Sequence, residues 1–508
     1  MLSKQGVVQT IVLIVIMMSA RLCIGQYAAT KDERVMTISE FVQQMQSTES
    51  EKIYLVNLKI VADSEKDSRY LLGAGNSHQR HNMDSLTQSY PVITVEKEIY
   101  VQNVYFTKRM ILPKIIFKSK CHFEDIRVYG DLTFRTCIFD KELYCVKFES
   151  YYFDLIDCVF NEAPLFESVA TEQTTISNCS LNDGIHCYQN DEPLNLYFYG
   201  NDVSGNCSFQ SIREGGDMVL SSSTFNPKNA NSNESVRIGG GFGSLDRLNI
   251  VNDTFSLPLN FSGSKISNNF IISNSLLHET NSFNNMSIPE GSTNIRWKYI
   301  KSFKLGVETK YGYFNGTHAI TDTTEENYFD LIKVYSQLLR SYKNNGDQES
   351  YNACYIEMKD IQTQKARYNL NKSPSISSFF ELGLNRFLKL FCDYGTNPVK
   401  AILMSTFVIF LFGILYFIFP SEGQRVQFRL IWKGIWSKRS RSLLKTQLVH
   451  GSKQFLNAFA LSMNAFVTLG YGDMPARGVA RYLAVLEGLT GWFLLSIFSS
   501  SLISQILQ

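Results

Sequence analysis

Short runs in which apolar and polar residues alternate dominate the N-terminal part of the chain. The clearest runs cover residues 53–61, 92–106 and 115–117, with polar turns between them. Alternation with a period of two predicts β-strands that bury one face. Ahead of them, Thr37-Ile38-Ser39-Glu40 has the capping-box pattern and predicts a short helix that ends near Gln46. We therefore expect a capping region with one helix and several strands over residues 26–110.

From residue 121 onward, a small residue followed two positions later by an apolar one recurs. The repeats are Cys137-Ile138-Phe139-Asp140, Cys158-Val159-Phe160-Asn161, Cys179-Ser180-Leu181-Asn182, Cys207-Ser208-Phe209-Gln210 and Ser223-Thr224-Phe225-Asn226, with weaker repeats that end at Phe255, Phe270 and Phe283. A single coil cannot bury its own apolar face, so coils of this kind stack on one another. The pattern predicts a β-solenoid, like a right-handed β-helix, over residues 111–305, with the small and aromatic side chains facing inward.

The chain has ten cysteines, and their placement bears on their role. Cys23 lies in a segment that we expect to be removed, and the nine that remain cannot all pair within one chain. Export permits disulfides, but free cysteine is also among the most buried residue types. We favour an interior ladder of unreactive cysteines over a disulfide framework. No Cys or His cluster has zinc-ligand spacing, so we expect no zinc site.

The N-terminus has the features of a signal peptide over residues 1–25. Lys4 provides a positive charge, and residues 7–20 form an apolar run too short to cross a bilayer comfortably. Cys23-Ile24-Gly25 places small residues before a cleavage site ahead of Gln26. An uncleaved signal anchor is the alternative, and both interpretations export the domain that follows.

After residue 320, helical periodicity replaces the strand pattern. Residues 320–368 predict a helical hairpin, which we interpret as a packing or assembly element, and residues 376–395 predict an amphipathic interfacial helix. Apolar runs at 401–420 and 482–507 are long enough to cross a bilayer, and a short apolar helix at 455–467 lies between them. Residues 399–508 thus have the outline of an all-α pore domain with two spans.

Charge does not indicate a nucleic-acid partner. The chain has 49 Lys and Arg against 47 Asp and Glu, which gives a formal net charge of +2, so no strong overall field attracts a polyanion. The segment between the first span and the short helix is strongly basic, and the positive-inside rule places it in the cytoplasm.

The hexapeptide Thr468-Leu469-Gly470-Tyr471-Gly472-Asp473 lies between the short helix and the last span. A potassium filter replaces the hydration shell of the ion with backbone carbonyls, so its chain runs extended with successive carbonyls on one axis. This requires unusual backbone angles at alternate positions, which Gly470 and Gly472 tolerate. Thr468 would add its hydroxyl, Tyr471 would brace the loop and Asp473 would anchor its mouth. The alternative, an unrelated glycine-rich turn, does not account for the flanking apolar helices.

The hexapeptide resembles the potassium-channel signature in its TLGYGD form. Asp393-Tyr394-Gly395 with Pro398, Met474-Pro475 and residues 481–491 are similar to bacterial two-helix potassium channels that carry pentapeptide-like repeats upstream. The resemblance covers residues 320–508, and Leu469 replaces the commoner Val at a position that contributes its carbonyl. It implies a homotetramer in a lipid bilayer, ion binding by the six residues 468–473, and K⁺ as the permeant ion. It implies no catalytic residue, no cofactor and no metal other than K⁺.

Three residues of the last span are candidates for supporting the pore. Glu487 is an acid in an apolar helix, and such a residue is either functional in itself or bonded behind the filter to the pore helix or loop. We favour the second role and expect it to stabilise the filter. Gly488 and Gly491 are either a gating hinge or close-packing positions, and small residues at helix contacts are the commoner case.

Two signals invert the pore relative to ordinary potassium channels. The export signal places residues 26–400 outside, and the basic segment places the loop after the first span inside. Prokaryotic ionotropic glutamate receptors resemble this plan, whereas channels with similar pores usually carry their repeats in the cytoplasm. We favour a multi-pass protein of the cell (inner) membrane with an exported N-terminal domain.

Two function classes fit these patterns. The first is a potassium channel subunit, not an enzyme, whose solenoid domain receives an unknown ligand or partner. The second is a membrane-tethered β-helix enzyme or adhesin that acts on carbohydrate, with a pore domain that serves only as an anchor. A fold alone does not license the second function, and no paired carboxylates stand out on the predicted solenoid.

The membrane orientation can be tested with single cysteine probes on a Cys-free background. We expect a membrane-impermeant thiol reagent to label a probe in the solenoid of intact cells and to leave a probe at Lys438 protected. The reverse labelling would show a conventional pore with a cytoplasmic solenoid.

Overall fold

The computed structural model describes residues 34–46, 50–63, 66–71, 90–189, 192–229, 233–239, 243–289, 293–297, 304–309, 312–316, 324–419, 441–467 and 478–506. The chain divides into two units, Met1–Cys354 and Tyr355–Gln508. The predicted signal peptide, residues 1–25, lies outside the described residues.

The strands of the first unit stack into a β-solenoid, and all of the named strands except the last pair in parallel, whereas the last one pairs antiparallel with the strand before it. In chain order they are β1 (Arg34–Thr37), β2 (Lys52–Val61), β3 (Ile93–Val95), β4 (Glu98–Phe106), β5 (Met110–Pro113), β6 (Ile115–Phe117), β7 (Cys121–Val128), β8 (Asp131–Arg135), β9 (Ile138–Phe139), β10 (Leu143–Ile156), β11 (Val159–Phe160), β12 (Leu165–Ser177), β13 (Ser180–Leu181), β14 (Ile185–Gln189), β15 (Leu196–Tyr199), β16 (Asp202–Ser204), β17 (Cys207–Ser211), β18 (Asp217–Ser221), β19 (Thr224–Asn226), β20 (Val236–Ile238), β21 (Leu245–Val251), β22 (Thr254–Phe255), β23 (Leu259–Asn260), β24 (Ile266–Ser273), β25 (Thr280–Ser282), β26 (Thr293–Ile295), β27 (Lys304–Thr309) and β28 (Gly312–Phe314). The predicted solenoid is confirmed. Its parallel stack already includes β2 and β4, which the sequence assigned to a capping region.

The helices are predominantly C-terminal. They are α1 (Ile38–Met45), α2 (Glu325–Asn344), α3 (Gln348–Lys372), α4 (Ile376–Cys392), α5 (Pro398–Ile418), α6 (Arg441–Val467) and α7 (Val479–Ile506). The boundary between the two units falls within α3.

A row of apolar side chains runs through the interior of the solenoid. The rings of Phe117, Phe139 and Phe160 stack with centroids 4.8 and 4.9 Å apart. The strand register extends this row to Leu181, Val203, Phe225 and Phe255. Each coil therefore buries its apolar residue against the coils before and after it, as nearest-neighbour stacking requires.

The register corrects the assignment of Cys207 and of the weaker repeat that ends at Phe270, which lies in β24 of the 20-stranded sheet. Cys207 begins β17, which pairs with β14 in the larger, 20-stranded sheet. The position equivalent to Cys179 is Asn201 instead, because Ser180 pairs with Asp202 in the 8-stranded sheet. The aligned motif was misleading because Cys and Phe also alternate on the second inward face of the coil.

Side chains of one coil accept hydrogen bonds from backbone amides of the coil before. The amide of Cys179 donates to Asn201 Oδ1 (2.8 Å), that of Asn201 to Ser223 Oγ (3.2 Å), and that of Ser223 to Asp253 Oδ1 (2.8 Å). The same bond joins Cys158 to Cys179 Sγ and Asp253 to Ser275 Oγ. These six residues form what we call the corner ladder. A buried amide without a partner is costly, so the small inward residue is kept polar or sulfur-bearing.

The residue before each member of the corner ladder has a left-handed backbone. Asp157, Asn178, Gly200, Ser222, Asn252 and Asn274 have φ between 50° and 62°. Asn and Asp tolerate this region better than other side chains with a Cβ atom. The corner thus explains the abundance of Asn and Asp immediately before the inward residue.

The nine cysteines of the described residues are free and buried. Burial raises the pKa of the Cys145 and Cys187 thiols, which keeps them protonated and poorly nucleophilic. The interior ladder of unreactive cysteines that the sequence favoured agrees with this arrangement.

Helices close both ends of the solenoid. The capping box at Thr37 and Glu40 is present, and α1 buries Phe41 edge-on against Phe106, with ring centroids 5.4 Å apart. At the other end, Ser350 Oγ accepts the Trp297 amide (3.0 Å), and the Trp297 ring lies 6.1 Å from that of Tyr335. A stack of coils needs such caps because its terminal coils have only one neighbour.

Asp253 makes the stability of the solenoid dependent on pH. Burial raises the pKa of this carboxyl to about 7, although it accepts the amides of Ser223 and Val251. The folded chain binds the extra proton, so stability falls by up to about 4 kcal/mol as pH rises from about 4 to about 7. Asp253→Asn should flatten this dependence, because an amide does not titrate. Asn201 shows that an Asn Oδ1 can accept the ladder amide, whereas the Nδ2 of the new side chain cannot accept the Val251 amide as Asp253 Oδ2 does.

Urea unfolding of both proteins at several pH values measures the effect. Asp202→Asn, on the exposed side of β16, is the control and should keep the wild-type slope. An unchanged slope in Asp253→Asn would contradict the assignment.

Candidate functional site

Two helices of the second unit have the length and composition of membrane spans, namely α5 (Pro398–Ile418) and, in α7, Val479–Ser500. Between them, α6 ends at Val467, so the short helix predicted at 455–467 forms its C-terminal part. The hexapeptide 468–473 and residues 420–440 of the basic segment lie outside the described residues, and the rest of that segment forms the start of α6. The structure therefore describes the helices before and after the predicted filter, α5, α6 and α7.

A tight turn leads from α4 into the first span. Asp393 and Tyr394 both have a left-handed backbone, with φ of 48° and 60°, and Gly395 follows at 92°. Asn397 caps α5 by accepting the Lys400 amide (3.0 Å), and Pro398 occupies its first turn. The Asp393-Tyr394-Gly395 motif is thus the turn that sets where the span begins.

Charged and polar side chains fix this turn to the preceding helices. Asp360 of α3 pairs with Lys389 Nζ (2.7 Å) and accepts a hydrogen bond from Tyr394 Oη (2.9 Å). Lys400 Nζ pairs with Asp393 (2.6 Å). Burial, together with Asp360, raises the pKa of Tyr394 to about 12, so its hydroxyl remains a donor throughout the physiological range. These bonds hold α3, α4 and the start of α5 in one arrangement.

Small residues bring α5, α6 and α7 together. Ala458 and Ala465 of α6 and Ala480 and Ala484 of α7 are buried with Phe412 and Tyr416 of α5. A second cluster joins these helices to α4 through Phe391, Cys392, Ala401, Phe466 and Leu494. Close approach through small side chains is typical of helix packing within membranes.

Glu487 lies at the centre of the three-helix packing. Its side chain is fully buried and accepts a hydrogen bond from Tyr416 Oη of α5 at Oε2 (2.8 Å). Ser462 Oγ of α6 contacts the other carboxyl oxygen, Oε1, and also lies 2.7 Å from Ile409 O. The carboxyl is thus bonded to the helix that precedes the predicted filter, and its effect on the stability of the filter stays a prediction.

Gly491 is a contact point between α6 and α7. A Cβ atom at this position would lie 2.2 Å from the carbonyl oxygen of Phe466, a backbone atom next to the end of α6. The geometry therefore supports close packing as the role of Gly491. Gly488 is buried one turn earlier in the same uninterrupted helix.

A family model described as Ion channel matches residues 404–508. The second unit carries an ion-channel domain. The match spans most of α5, all of α6 and α7, and the residues between them. Comparison of the chain with curated proteins and with solved structures finds no match. The family match and the two apolar helices together make this part of the second unit a membrane domain.

Sequence reasoning missed the partners of Glu487 and the Asp360 cluster. Tyr416 and Ser462 were visible as polar residues in apolar helices, where such side chains seek one another. Asp360 gave no comparable signal, since an acid on a polar helix is ordinarily solvated.

Gly491→Ala should destabilise the channel domain by about 1–3 kcal/mol, because the added methyl pushes α7 away from backbone atoms of α6. Thermal unfolding in detergent, followed by helical circular dichroism, measures the loss. Gly383→Ala is the matched control: it lies in α4 with nothing within 4 Å of an added Cβ, so it should be neutral or slightly stabilising. Equal melting temperatures of the two variants would refute close packing at Gly491.

Proposed function

We propose that the chain is one subunit of a homotetrameric, potassium-selective channel of the cell membrane. The observation that carries the proposal is the TLGYGD sequence at 468–473, which directly follows α6 and precedes the second span of the ion-channel domain. A potassium filter dehydrates K⁺ with a ring of carbonyls to which each chain contributes one segment, so four copies would complete the site.

Exposed apolar side chains support the placement of α4 at the membrane surface. Ile376, Phe379, Phe380, Leu384 and Leu390 are exposed, and the helix leads through a three-residue turn into the first span. A helix with an apolar face next to a span fits the interface between lipid and water. The exported position of the solenoid domain belongs to the same proposal.

The first unit offers a place for the unknown input. An open cavity of about 870 Å³ lies between the last coils and the start of α3, lined by Asn294, Arg296, Trp297, Asp347 and Glu349 among others. Both charge signs line it, which suits a small polar ligand better than an apolar one. Modulation of the pore by a ligand or partner of this unit is part of the proposal.

The carbohydrate-active alternative gains no support from the solenoid surface. Among the described residues, the carboxylates of Asp140, Glu142 and Glu162 pair with Lys118, Lys120 and Lys141 at 2.6–2.7 Å. Glycoside hydrolysis needs two carboxyl groups free to act on a sugar. The rings of Tyr100, His122 and Tyr144 stack on each other at 4.6 and 4.7 Å, and Tyr54 stacks on the other face of Tyr100, so both faces of Tyr100 and His122 are covered.

Potassium flux from proteoliposomes tests the function. The wild-type protein should conduct K⁺ in preference to Na⁺, and Gly470→Ala should abolish flux because alanine does not tolerate the backbone angles of the filter. Gly383→Ala, outside the pore, should conduct like the wild type. Well-folded tetramers without K⁺ flux would refute the channel and favour an anchoring role.

A further inference from the structure

If Glu487 is ionised, the oxygens around it include one more hydrogen-bond acceptor than there are hydroxyl hydrogens to donate. Ser462 Oγ lies within bonding distance of Ile409 O and of Glu487 Oε1. A serine hydroxyl carries a single hydrogen, while a backbone carbonyl and an ionised carboxylate only accept. With an ionised Glu487, Ser462 could donate to one of these two oxygens and would face the other without a hydrogen.

A proton on Oε1 of Glu487 makes the number of hydroxyl hydrogens equal to the number of hydrogen bonds. Tyr416 Oη donates to Oε2, Oε1 donates to Ser462 Oγ, and Ser462 donates to Ile409 O. Each hydroxyl hydrogen then has one acceptor, and the chain of bonds links α7 to α6 and twice to α5. Within the described part of the chain, Tyr416 and Ser462 are the side chains bonded to Glu487, and neither carries a compensating positive charge. Burying an ionised carboxylate without such a charge is strongly unfavourable.

We propose that Glu487 is a neutral carboxylic acid whose proton positions α6 between the two spans. It is a positioning residue for conduction, and this part of the inference rests on the proposed function. Ser462 lies near the end of α6, so the bond from Glu487 sets the depth at which the helix delivers its C-terminus to residues 468–473. A shift of α6 along its axis would move the first carbonyls of the filter with it.

Substitutions that differ only in hydrogen bonding separate the proton from the shape of the side chain. Glu487→Gln keeps both bonds, because the amide donates to Ser462 and the carbonyl accepts from Tyr416. Glu487→Met has a similar length and neither bond. In reconstituted vesicles we expect the Gln variant to retain K⁺ selectivity over Na⁺, and the Met variant to lose it about tenfold, as the loss of buried hydrogen bonds would cause.

Coupling to Ser462 provides a matched control. Ser462→Ala should reduce selectivity in the wild type and have little further effect in the Met variant, because the bond is already absent there. Equal effects in both backgrounds would overturn the proposed link between the two residues. A Gln variant that fails like the Met variant would show that the carboxylate form is required.

Infrared difference spectroscopy tests the proton without any conduction. The spectrum of the wild type minus that of Glu487→Gln should contain the C=O stretch of a protonated carboxyl, shifted in D₂O. A carboxylate band in its place would overturn the proposal. If the protonated band is present while no variant or wild-type protein conducts, the protonation stands and the proposed function fails.

Discussion

A polar group shut away from water must find its partner inside the protein, and both units are organised around that requirement. In the solenoid, the amides of the corner-ladder residues follow a left-handed position between two strands and bond to a side chain instead of a strand carbonyl. The corner ladder of Cys158, Cys179, Asn201, Ser223, Asp253 and Ser275 supplies the acceptor from the next coil. The apolar row beside it drives burial, but the ladder decides which residues can occupy the adjacent inward position.

The channel domain meets the same requirement where the surroundings are lipid. The Glu487 carboxyl, the hydroxyls of Tyr416 and Ser462, and the Ile409 carbonyl form one connected set at the centre of α5, α6 and α7. Close packing of small residues brings the helices together, and hydrogen bonds between them strengthen the preference for one axial position. The chain of hydrogen bonds through Glu487 is directional and adds that preference close to residues 468–473, where the proposed function depends on the position of backbone atoms.

The period of the apolar pattern and the length of the apolar runs were enough to predict the solenoid, the two spans and the helix that precedes the hexapeptide. Alternation placed Phe139 and Phe160 inside, and the apolar runs placed the spans within a few residues. The register was not predictable in full: Cys207 copies the spacing of the ladder residues but lies on another strand, because two inward faces share one composition. Contacts between distant polar residues, such as Asp360 with Tyr394, depend on a turn at Asp393 whose backbone angles no periodicity encodes.

The direction of the corner ladder has a consequence for synthesis. Each amide bonds to a side chain that lies 21 to 30 residues later in the chain, so every coil is completed by the one made after it. A nascent solenoid can therefore grow coil by coil from α1, and the amides of its newest coil, in the ladder and at the strand edges, are paired only when the next coil is made. The stack is closed when Ser350 Oγ accepts the Trp297 amide and the helices cover the last coil.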